Sequence, residues 1–111
     1  MKKLFKSYTY DFDKNEAKLL TSFCKQAIDQ MGDNQDFYKD VKAFESIREK
    51  IAEDQSEVKL TKDEKTRLVH QLTQNRNHIK TTMEKSGFLK KWFYKSMFTQ
   101  YENLLETHFS N

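Results

Sequence analysis

No proline interrupts this chain, and its only glycines are Gly32 and Gly87. Proline removes a helical hydrogen bond and glycine carries the largest backbone entropy cost, so these are the residues that break helices. A chain so poor in both has few places to stop, and a mainly α fold is the expectation. The apolar pattern fills it in. Asp13-Lys14-Asn15-Glu16 has the spacing of a capping box, in which side-chain oxygens satisfy free amides at a helix start. From there Ala17, Leu20, Phe23, Cys24, Ala27, Ile28 and Met31 recur every three or four residues as far as Gly32, which is expected to end the helix in the left-handed conformation. Beyond the polar turn Asp33-Asn34-Gln35-Asp36, a second helix is read through Phe37, Val41, Phe44, Ile47 and Ile51 to about Asp54. It runs antiparallel to the first because the connection is short.

Thr61-Lys62-Asp63-Glu64 repeats the box, and Leu68, Val69, Leu72, Ile79 and Met83 form a narrow stripe that ends at Ser86-Gly87. A fourth helix follows from Phe88. At about 100° per residue its Phe93, Met97, Tyr101, Leu104 and Leu105 converge on one face, with Tyr94 and Phe98 at the edge. Lys91, Lys95, Glu102 and Glu106 share the opposite face. Short alternating segments precede both boxes, Tyr8, Tyr10 and Phe12 in one case and Val58 and Leu60 in the other, and read as brief strands. The sequence therefore predicts one helical domain over residues 1–111, an antiparallel four-helix bundle whose two extended segments can pair as a ribbon. Tyr10 to Glu16 resembles Val58 to Glu64 in character, which admits a strand-helix-helix repeat over 7–54 and 57–109, although any two capped amphipathic helices share that look.

The chemistry that can be weighed is mostly negative. His70 and His78 stand about 12 Å apart along one helix, and no HExxH or CxxC occurs, so no metal site is expected. Two glycines cannot build a phosphate-cradling loop, and neither a cofactor nor a small-molecule ligand is expected. Cys24, the only cysteine, falls in the middle of an apolar face, where a thiol is a buried hydrophobe with a raised pKa. No catalytic residue is assigned. The stretch Met1-Lys2-Lys3 resembles the start of a signal peptide, yet Lys6 and Asp11 break any apolar run, and a cytoplasmic location is expected.

What remains is recognition. Residues 57–111 carry ten Lys/Arg against six Asp/Glu, while residues 1–56 carry ten against eleven. On the third helix Arg67, His70, Gln74, Asn77, His78 and Thr81 make a broad outward row of donors and acceptors poor in acids. On the fourth, Trp92 falls beside Lys95 and Thr99, away from the centre of the apolar face. It either covers a neighbouring element together with Phe88 or stands as an anchor among Lys85, Lys91 and Lys95; partial burial is expected. Arg48 projects into the apolar face of the second helix and calls for a partner or a snorkelling stem. The sequence reads best as a small non-enzymatic accessory protein binding a macromolecular partner, a protein or a second copy of itself, through Arg67, His70, Gln74, Asn77, His78, Lys91, Trp92 and Lys95. A weak nucleic-acid binder using the basic second half is the alternative, and an enzyme comes third. No membrane partner is expected, because the apolar face of the fourth helix is broad enough to be needed for the core and its polar face mixes acids with lysines.

Overall fold

The computed structural model describes residues 7–110. The fold is mainly α, with four helices and one two-stranded antiparallel ribbon. In chain order the elements are β1 (Ser7–Tyr10), α1 (Lys14–Met31), a 3-10 turn (Gln35–Phe37), α2 (Tyr38–Glu53), β2 (Val58–Thr61), α3 (Lys62–Lys85) and α4 (Phe88–His108). A strand followed by two helices thus occurs twice. The chain divides into two compact units, the first ending at Leu68 and the second beginning at Val69, so the division falls within α3.

In the first unit both halves of the first capping box are made. The Glu16 amide donates to Asp13 Oδ1 at 2.8 Å and the Asp13 amide donates to Glu16 Oε1 at 2.9 Å. The ribbon pairs Ser7 with Thr61 and Tyr10 with Val58, and the Phe12 amide extends it by donating to the Gln55 carbonyl at 2.9 Å. Val58 and Leu60 point inward and are fully buried, as strand alternation requires. Around them lie Phe12, Leu20, Cys24, Phe44, Ile47 and Leu68, all at 1% exposure or less. Phe23 and Phe44 meet edge to face at 6.1 Å and join α1 to α2.

Two local expectations are corrected. Gly32 ends α1 with φ −57° and ψ −31°, a right-handed conformation. Glycine matters there for another reason: a Cβ would stand 2.9 Å from the Ile28 carbonyl oxygen, closer than the backbone tolerates. Phe37, expected as the first apolar contact of the second helix, lies in the 3-10 turn and is 39% exposed. A 3-10 turn advances at three residues per turn, which puts Phe37 out of phase with Phe44 and Ile47. Arg48 is half-buried and has no ion-pair partner among the described residues, the behaviour of a snorkelling stem.

In the second unit α3 and α4 are the arms on either side of Ser86-Gly87, tied by Arg76 Nη1 to Glu102 Oε1 at 2.8 Å. The buried side chains are Leu72, Ile79, Tyr101, Leu104, Leu105 and Phe109. Those contributed by α4 all lie in its second half.

Candidate docking surface

The first two turns of α4 contradict the expected burial. Phe88 is 88% exposed, Leu89 81%, Trp92 77% and Phe93 58%. The sequence puts Phe93 with Met97 and Tyr101 on the core face. Its angular position is right, but the fully buried residues of α4 begin only at Tyr101, and Phe93, two turns nearer the helix start, is covered only in part, meeting the Tyr94 ring edge to face at 5.6 Å. Trp92, expected to be partly buried, is in water. Projected at 100° per residue, Phe88, Leu89 and Trp92 lie opposite Tyr94, Tyr101 and Leu105, so this end of α4 has a second apolar face. Lys91 and Lys95, both exposed, border it on one side. From Lys85 to Tyr101 there is no acidic residue. The premise that the core consumes the whole apolar face of this helix therefore fails for residues 88–93.

On α3 the structure separates the outward row. His70, Gln74, Asn77, His78 and Thr81 are exposed. The Thr81 hydroxyl donates to the Asn77 carbonyl at 3.1 Å, and Asn77 Oδ1 accepts from Arg76 at 3.2 and 3.3 Å. Arg67 is instead engaged within the first unit. It pairs with Asp40 at 2.8 Å and with Asp63 at 3.1 Å, and only 27% of its side chain is exposed.

Sequence reasoning missed Glu64. The pattern marks it only as the closing residue of the second box, a role it fills: the Thr61 amide donates to its Oε1 at 2.9 Å and its own amide donates to Thr61 Oγ1 at 3.1 Å. Yet it is also a buried carboxylate, 7% exposed, that accepts from Ser46 Oγ at 2.6 Å and from Lys50 Nζ at 2.7 Å. Burial pushes its pKa up, but the bonds from Lys50, Ser46 and the Thr61 amide outweigh it and hold the carboxyl below its ordinary 4.5. No pattern in the sequence signals this, because two of the donors come from α2. Beside it an open pocket of about 490 Å³ lies among Tyr38, Lys42, Thr61, Asp63 and Arg67. Arg67 is spent on Asp40 and Asp63, Glu64 on Lys50 and Ser46, and Lys42 Nζ sits 5.7 Å from the Tyr38 ring centroid, so the arginine and both carboxylates of the pocket are already engaged.

Cys24 is fully buried and unpaired, and desolvation carries its thiol pKa up to about 12 despite the opposing field of Arg48. A thiol held there is neither a nucleophile nor a metal ligand at neutral pH. Among the described residues no group of three or more His, Cys, Asp or Glu could hold a metal ion. Among the described residues no helix is long and apolar enough to cross a membrane. No protein-family model, curated protein or solved structure matches this chain.

Proposed function

We propose that this chain is a small non-enzymatic interaction protein that docks through the first two turns of α4 and leaves the outward row of α3 for a protein partner. One observation carries the reading: Phe88, Leu89 and Trp92 stand together in water on the side of α4 turned away from its buried residues, and Phe93 beside them is 58% exposed. Single exposed apolar residues are ordinary, whereas four large ones side by side mark a surface that is covered when the protein works. Trp92 is the residue type that dominates binding energy at such surfaces. The α3 row of His70, Gln74, Asn77 and His78 offers both donors and acceptors for protein backbone and side chains.

A nucleic-acid partner is the second reading, favoured by Lys90, Lys91 and Lys95 in an acid-free run beside aromatic rings that bases can stack on. Two measurements decide. In pull-downs from native extract, the Trp92→Ala and Phe93→Ala double variant should lose the partner that wild type retains, while keeping the same circular dichroism. Retention of every wild-type partner by that variant refutes docking through α4. Retention on heparin or single-stranded DNA with a steep salt slope selects the nucleic-acid reading, and no retention at low salt removes it.

A further inference from the structure

We propose that the exposed end of α4 seats in the headgroup layer of an anionic bilayer. The inference rests on that end being the attachment surface and names what it attaches to. The length of the patch selects the occupant first. From Phe88 to Phe93 the helix rises about 7.5 Å at 1.5 Å per residue, and the same side then continues as the exposed, polar Ser96, Thr99, Gln100 and Asn103. A groove that receives a helix lengthwise takes apolar anchors at i, i+3 or i+4, and i+7; the i+7 positions here are Lys95 and Ser96. A lipid interface sets no such spacing: an apolar helix face needs only to reach the boundary between headgroups and acyl chains, which a short cluster of large side chains can do.

Charge selects it next. Lys91 and Lys95 border the apolar face of Phe88, Leu89 and Trp92, with no acid between Glu84 and Glu102. A second copy would bring the same lysines and no acid from this stretch to meet them. An anionic lipid surface satisfies both at once, their stems lying along the apolar rings and their ammonium groups among phosphates. Side-chain type agrees: Leu89 has no ring for a base to stack on, whereas Trp92 carries an apolar body and one polar N–H, the combination that settles at a membrane interface.

The test uses the full chain with vesicles of phosphatidylglycerol and phosphatidylcholine in roughly equal parts, followed by co-sedimentation and by the emission of Trp92, the only tryptophan. The expected result is co-sedimentation with a blue shift and loss of iodide quenching, absent with pure phosphatidylcholine and weakened when salt is raised to about 0.5 M. Trp92→Ala, and separately Lys91→Glu with Lys95→Glu, should each weaken vesicle binding about tenfold or more. Protein left in the supernatant with unshifted emission overturns the inference, as does equal binding to neutral vesicles or by Trp92→Ala. If vesicles fail while Trp92→Ala still abolishes capture of a protein or of single-stranded RNA, the end of α4 is the docking surface and its occupant is that macromolecule. If Trp92→Ala changes neither assay, the docking reading falls as well.

Discussion

Glu64 and Cys24 are buried groups whose ionisation the fold controls in opposite ways. Glu64 is kept charged by Lys50, Ser46 and the Thr61 amide. Because its folded pKa is depressed, it contributes stability above its ordinary 4.5, and that contribution is lost as pH falls through the lower folded value. Wild type should therefore lose denaturation midpoint in urea on acidification from about pH 5 to pH 3, and Glu64→Gln should lose less over the same range. An equal acid response in both proteins would mean that Glu64 is not held in this network. Cys24 is kept neutral by burial, with a pKa of about 12. A disulfide reagent at pH 8 should label it slowly in native protein and at once in denaturant, since the reactive form is the thiolate. Fast native labelling would show that α1 opens locally. Cys24 was legible from the sequence because helical period alone puts it in the middle of an apolar face. Glu64 was not, because its surroundings come from Ser46 and Lys50, residues of another helix.

The two capping boxes look interchangeable on paper, and the elements around them make them unequal. Asp13 and Glu16 exchange their bonds on an exposed helix start, whereas Glu64 is also held to α2. Glu16→Ala should cost no more than about 1 kcal/mol, in the range of an exposed cap. Glu64→Ala should cost about 2–3 kcal/mol, because it strands donors that lose a charged acceptor away from bulk water. Urea denaturation of the two variants checks the ratio, and equal losses would make the second box as peripheral as the first. Helix positions and boundaries were readable almost to the residue, since capping and periodicity are local properties. The exposure of Phe88 and Phe93 was not: periodicity tells which side of α4 faces a core but not where along the axis that core ends.

At the scale of the whole molecule, the mainly helical class and the paired ribbon followed from the scarcity of helix breakers and from two short alternating runs. The exposure of the rings at the start of α4 did not follow, because a stripe of aromatics and lysines has the same sequence whether its rings are covered or bare. Exposure decides between those states, and it depends on how much apolar area neighbouring elements supply. The second unit supplies little to the start of α4, whose buried residues begin at Tyr101. Amides in residues 88–95 should accordingly exchange with solvent faster than those of α1 and α2, which are fastened by Leu20, Phe44 and Ile47. Hydrogen exchange read by mass spectrometry checks this, and uniform protection along α4 would contradict it.

The ribbon also bears on the order in which the first unit forms. Its strands are neighbours in space, but all of α1 and α2 lies between Tyr10 and Val58. Closing so long a loop is entropically costly until the two helices have paired through local contacts. The ribbon is then the last element to assemble and the first to part. Val58→Ala should therefore speed unfolding while leaving the refolding rate nearly unchanged, and Phe44→Ala should slow refolding. A fluctuation that frays the ribbon would release the N-terminal strand and bare the inner faces of Val58 and Leu60 while α1 and α2 remain paired, so the site where this unit is most exposed to proteolysis or to misassembly is fixed by the sequence distance between two short strands.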